Sequence, residues 1–173
     1  MTATDSYYHA AVAALVTALD AIEAEDTGDN LYNYTVQACE VQADFFDDAL
    51  QTTKVVAGSQ SLVIVIPDEE EAVERVSKGV VKVAHVDVAA LTPFKPSSER
   101  PWAQPSLTRA TIQDRLILDA ERAVYADVTL GGTVENCEII LRDRSADRTY
   151  IEGWACVFMR VRLQWEEIWG DMT

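Results

Sequence analysis

The run "TYIEGWACVFMRVRLQWEEIW", residues 149–169, narrows the fold more than any other stretch of the chain. Ala155, Val157, Met159, Val161, Leu163 and Trp165 recur at every second position. On the other side Trp154, Cys156 and Phe158 give way to Arg160, Arg162 and Gln164. Successive side chains of an extended chain point to opposite faces, so this pattern predicts one long strand of about fifteen residues.

Other segments supply partners for it. "VVKVAHVDVAAL", residues 80–91, alternates too, with Val86, Val88 and Ala90 on one face and His85, Asp87 and Ala89 on the other. "LVIVI" at 62–66 is apolar throughout and reads as a central strand covered on both faces. Pro67 cannot donate to a ladder, so that strand is expected to stop near it and the charged "DEEEAVERVSKG" to cross the surface. Residues 31–46 have β-type composition, with Tyr34, Val36 and Ala38 on one side. "TVENCEIILRD" predicts a further strand, joined to the last one through the hairpin connection "RSADR".

Two segments have helical spacing instead. Tyr8, Val12, Leu15, Leu19 and Ile22 gather on one side of a helix over residues 6–24, and Ile112, Leu116, Ala120, Ala123 and Val124 do so over 107–125. Gly131 and Gly132 follow the second helix. A glycine pair cradles phosphate when a helix begins after it; here a helix ends before it, and the pair supplies positive φ at a corner. Between strand and helix, "TPFKPSSERPWAQPS" (92–106) carries four prolines and reads as a stiff connector within a single domain spanning 1–173.

The chain has a net charge of −15, which opposes a general grip on nucleic acid, since that grip needs Lys and Arg to displace counterions from phosphates. The acid is uneven. Residues 1–91 hold 16 Asp and Glu against 4 Lys and Arg, and residues 92–173 hold 13 against 10. Three cysteines, Cys39, Cys137 and Cys156, without CxxC spacing favour free thiols in a reducing compartment. The first residues lack a basic n-region and show helical spacing, as expected of neither a signal peptide nor a membrane span.

No spaced motif for nucleophilic, metal or phosphate chemistry occurs, and the only histidines are His9 and His85. His85 beside Asp87 on one strand face is a conceivable pH-sensitive pair. The expectation is therefore no catalytic residue, no cofactor and no metal. What stands out is apolar surface in polar company: Phe94 and Trp102 in the connector, and Trp165, Ile168 and Trp169 near the C-terminus, with Arg160 and Arg162 on the adjoining strand face. These seven are the candidate contacts to other subunits or partners.

The order of elements, the stretch "SLVIVIPDEEEAVERVSKGVVKVAHVDVAAL", the helix-to-strand corner "L…D.TLGG.V" from Leu118 to Val134, and the closing strand "WACVFMRVRLQW" resemble the tail terminator, or tail-completion, proteins of tailed bacteriophages. The resemblance implies an α+β fold, a mostly antiparallel sheet with two helices on one face. It implies a ring, commonly of six subunits, that caps the head-proximal end of the tail tube, stops tube polymerisation and meets the neck connector protein, with DNA only passing through. Such a protein assembles in the bacterial cytoplasm, resides in the virion, binds no membrane, and works by contact alone. Two alternatives remain at this stage: a head-completion protein of the neck, and a small cytoplasmic enzyme or ligand-binding domain.

Overall fold

The computed structural model describes residues 7–24, 32–40, 61–76, 78–94, 109–144, 150–151 and 154–168. The elements are α1 (Tyr7–Asp20), β1 (Val36–Glu40), β2 (Ser61–Val76), β3 (Gly79–Pro93), α2 (Arg109–Ala126), β4 (Asn136–Asp143), β5 (Tyr150–Ile151) and β6 (Trp154–Ile168). The fold is α+β. The strands form one mixed sheet in the order β1-β2-β3-β6-β4, with β5 pairing to β6 in line with β4. Only β1 and β2 run parallel.

β6 is the strand on which the sheet is registered. It pairs with β3 over its whole length, from Pro93↔Trp154 to Gly79↔Ile168, and with β4 on its other side. The predicted alternation holds: Ala155, Val157, Met159, Val161, Leu163 and Trp165 lie in the main core with Val86, Val88 and Ala90 of β3. Val12, Leu15 and Leu19 of α1 and Ile112, Leu116 and Val124 of α2 close that core from above, so both helices cover the same sheet face. On the opposite face Leu62, Ile64, Ala89, Leu91, Trp154 and Cys156 make a second, smaller cluster.

β2 departs from expectation. It does not stop at Pro67 but runs on to Val76, with Pro67 opposite Val86 and register shifts at Pro67/Glu70 and Ala72/Glu74. The reason is positional. Among the described residues β1 pairs with β2 only as far as Val65, so from Ile66 onward β3 is the one described strand beside β2, and the missing Pro67 N–H costs no bond to β1. The acidic run is therefore strand, carried past the helices on an extension of β2, β3 and the end of β6. Lys82 holds this extension together by salt bridges to Glu70 (2.6 Å) and Glu167 on the flanking strands. Gly79 is required at its tip, because a Cβ there would overlap the Glu167 carbonyl oxygen.

Of the β-type segment 31–46, the described strand is Val36–Glu40, with Tyr34 and Ala38 packed against the core beside Val36. A short edge strand needs anchors beyond its own ladder. Val36 N–H donates to the Ile22 carbonyl (3.0 Å), and Ala38 N–H to the Asp20 carboxylate at the end of α1 (2.8 Å). The strongest anchor is Asp119 of α2, which is 1% exposed. Its carboxylate accepts Asn33 N–H (2.8 Å), Asn33 Nδ2 (2.7 Å) and Tyr34 N–H (3.0 Å).

Burial holds the Asp119 carboxyl above its ordinary value of 3.8, and the bonds from Asn33 and Tyr34 pull it back only in part. A group that binds its proton more tightly when folded lowers stability as pH rises from 3.8 through the raised value. Asp119→Asn should flatten that part of the stability profile in urea titrations at successive pH values. Asp119→Ala leaves three part-buried donors without their acceptor and should cost about 2 kcal/mol at neutral pH.

Candidate interface surfaces

The groups with chemical potential are already committed to one another. Asp87, on the same strand face as His85, accepts two bonds from Arg160, Nε to Oδ1 at 2.7 Å and Nη2 to Oδ2 at 2.9 Å. Asp68 on β2 lies 3.7 Å from the same guanidinium. Next along β6, Arg162 donates to Glu138 of β4 (2.9 Å) and to Gln164 (3.2 Å), directly across from His85 of β3. The alternation of β3 and β6 puts these side chains on the sheet face opposite the helices, as a charged band across four strands. An arginine fork held by a carboxylate on a neighbouring strand fixes strand register. Arg160 and Arg162 are thus coupled to their own chain first.

Cys137 and Cys156 are both buried and free; Cys137 lies in the helix-side core and Cys156 in the opposite cluster, so the sheet separates them. Burial pushes each thiol up to about 12, which leaves almost no thiolate at neutral pH. Among the described residues no group of three or more His, Cys, Asp and Glu is placed to hold a metal ion. No helix among them is long and apolar enough to cross a membrane.

The glycine corner has the predicted backbone, with positive φ at Gly131 and Gly132 and also at Leu130. Its amides are not free for an anion. Asp127 accepts Gly131 N–H (2.8 Å), Thr129 N–H (2.9 Å) and the Thr129 hydroxyl (2.6 Å), so a carboxylate of the chain itself occupies the position a phosphate would need. The Thr129 hydroxyl, Gly131 N–H and Thr129 N–H hold the Asp127 carboxyl below 3.8. The contribution of this turn is then complete above pH 3.8 and disappears as pH falls through the lowered value. Unfolding midpoints of Asp127→Ala and the parent chain should differ at neutral pH and converge in acid.

The seven aromatic, apolar and arginine candidates separate. Trp165 is 2% exposed, inside the helix-side core with the Tyr8 ring 6.4 Å away, so it is a core residue and offers no surface to a partner. Phe94 packs against that same core under the Arg109 guanidinium, 5.4 Å from the ring centroid. Arg160 and Arg162 form the charged band. Ile168 alone of the described candidates projects freely, at 62% exposure. Trp102 and Trp169 lie outside the described residues, as does most of the connector.

Two exposed surfaces emerge instead, at different ends of the sheet. One is the extension, where Val73 of β2 and Ile168 of β6 stand exposed beside Glu70, Glu71 and Glu74. The other is the border formed by α2 and β4, where Leu118 and Tyr125 of the helix are exposed, and where Leu141, paired with Arg160, is exposed on the opposite sheet face with Ile140 at the bulge beside it. β4 runs along α2: Arg144 pairs with Asp114 (2.8 Å), Arg142 with Glu121, and Ile139 N–H donates to the Tyr125 hydroxyl (3.1 Å). Asp114, Leu118, Glu121 and Tyr125 follow helical i, i+4, i+7, i+11 spacing, so they form one stripe facing that strand. Ile140 is the additional residue of a bulge between Ile139 and Leu141, which turns it outward. The sequence did carry a signal for this flank, the consecutive apolar residues of "EIIL" breaking alternation. No protein-family model matches the chain, and no curated protein matches its sequence.

Proposed function

We propose that this chain is a structural protein of a bacteriophage virion, a tail terminator whose copies form a ring on the head-proximal end of the tail tube. The ring ends tube growth and presents its other side to the neck connector protein, while DNA passes through the hole. The observation that carries this reading is the arrangement of two dissimilar exposed surfaces at different ends of one sheet. A ring of identical subunits needs such a pair, because each contact joins one patch to a different patch on the next copy.

Two further observations fit. Asp87, on which an enzyme reading would lean together with His85, is held by the fork from Arg160, and the buried cysteines are poor nucleophiles. The net charge of −15 suits a passage for DNA, since like charge lets the duplex slide without adhering.

Added to polymerising tail tube protein, the chain should stop growth at one end, so that tubes shorten with increasing dose and carry a ring at a single tip in negative-stain images. Unchanged tube length with no terminal ring refutes the proposal. In the phage, loss of the protein should give overlong or uncapped tails. Normal-length free tails beside DNA-filled heads would place it among the head-completion proteins instead.

A further inference from the structure

We infer that the two helices lock the borders of the sheet: Asp20 of α1 and Tyr125 of α2 occupy border-strand N–H groups that would otherwise take a strand from a second copy of this chain. The lock is a property of the folded subunit and does not rest on the ring reading.

β1 and β4 stand at the two ends of the sheet order. A border strand turns every second N–H and C=O away from its neighbour, and a row of such groups is a template for pairing with another chain. On β1 the N–H groups of Val36 and Ala38 point to one side, because residues two apart in a strand share a direction. That side is the one away from β2. Val36 N–H donates there to the Ile22 carbonyl (3.0 Å) and Ala38 N–H to Asp20 Oδ1 (2.8 Å), acceptors at and just past the end of α1. On β4 the Ile139 N–H likewise leaves the ladder and donates to the Tyr125 hydroxyl (3.1 Å). An N–H engaged by a side chain of its own molecule is not available to an arriving strand.

The residues chosen suit this role better than they suit their helices. A carboxylate at the last residue of a helix is repelled by the negative end of the macrodipole, and Asp is a poor helix former, so Asp20 weakens the end of α1 that carries it. Tyr125, the last residue but one of α2, is 45% exposed while its hydroxyl reaches the strand. An aliphatic side chain at that position would cover the sheet equally well and would offer Ile139 no acceptor. Immediately beyond Ile139, β4 carries the bulge at Ile140 and then Arg142 paired with Glu121; a bulge and charged side chains are further means by which a border resists pairing.

Amide hydrogen exchange and strand-paired assembly of the full chain read the lock together. Tyr125→Phe keeps the ring and removes the acceptor, so the Ile139 amide should exchange about tenfold faster, the equivalent of one hydrogen bond. Asp20→Ala should do the same for the Ala38 amide, whereas Asp20→Asn keeps an acceptor oxygen and should behave as the parent. With Asp20→Ala and Tyr125→Phe combined, the chain should assemble on incubation into thioflavin-binding aggregates with the infrared signature of intermolecular strands. The parent and Asp20→Asn should not. Rings of folded subunits bind no thioflavin, so ring assembly leaves this readout unchanged. Arg142→Ala controls for loosening alone, since it removes the ion pair to Glu121 and no acceptor of a strand N–H; it should not assemble. The lock is refuted if the double variant stays as dispersed as the parent or if Arg142→Ala assembles equally. Faster exchange without assembly refutes it too, because bonds that merely hold β1 and β4 in place give that result. Should the double variant not fold, the single variants are read by the same criteria.

Discussion

The register of β6 against β3 is the constraint on which the rest of the molecule depends. Fifteen consecutive Cα partners, from Gly79↔Ile168 to Pro93↔Trp154, tie two strands of equal length. A slip of one residue would exchange the faces and move Val157, Met159, Val161 and Leu163 from under the helices to the side where Arg160 and Arg162 lie. The two faces are therefore defined together. The Asp87–Arg160 fork reinforces the same register from the polar side, since Asp87 and Arg160 are direct cross-strand partners. Apolar alternation on one face and an ion pair on the other enforce one alignment.

That alignment also explains how the sheet reaches beyond its helices. α1 and α2 cover the part of β3 and β6 where apolar residues face them, and past Trp165 the strands continue with Glu166, Glu167 and Ile168. Three strands can persist there outside the main core because each remains laddered to its neighbour, Val80 and Val83 of β3 are buried, and Lys82 places one cation between Glu70 and Glu167. Exposed ion pairs of this kind contribute at most about 1 kcal/mol each, so their effect is to keep two like charges from forcing the strands apart.

The strands that alternate, and both helices, were legible from residue order because burial imposes a period and the period survives in composition. Ala155 to Trp165 and Val86 to Ala90 needed nothing else. Pro67 misled because its cost depends on whether a neighbour needs its N–H, and that is a matter of where β1 ends, which local sequence does not state. Trp165 misled in another way: late, aromatic and followed by acids, it has the surroundings of a surface residue, yet its parity with Leu163 places it inside. Parity was the better guide. Asp119 was readable in principle, since it stands three residues after Leu116 and four before Ala123 on the apolar stripe of α2. An acid at such a position signals a buried carboxylate with donors brought to it, but the donors, Asn33 and Tyr34, are distant in sequence and only the fold names them.

The same distinction separates the surfaces that matter from those that merely look reactive. Arg160, Arg162, Asp87 and Glu138 form the most polar patch on the sheet, but their charges are paired within the chain, and a partner would have to break those pairs to use them. Leu118, Tyr125, Ile140 and Leu141 are chemically plain, and covering them requires breaking nothing. Net gain on association comes from the second kind, because apolar area is removed from water without a prior bond being lost, while paired charges at best exchange one partner for another. On this sheet the charged groups of the face opposite the helices are occupied, while Leu118 and Tyr125 stand open on the outer side of α2.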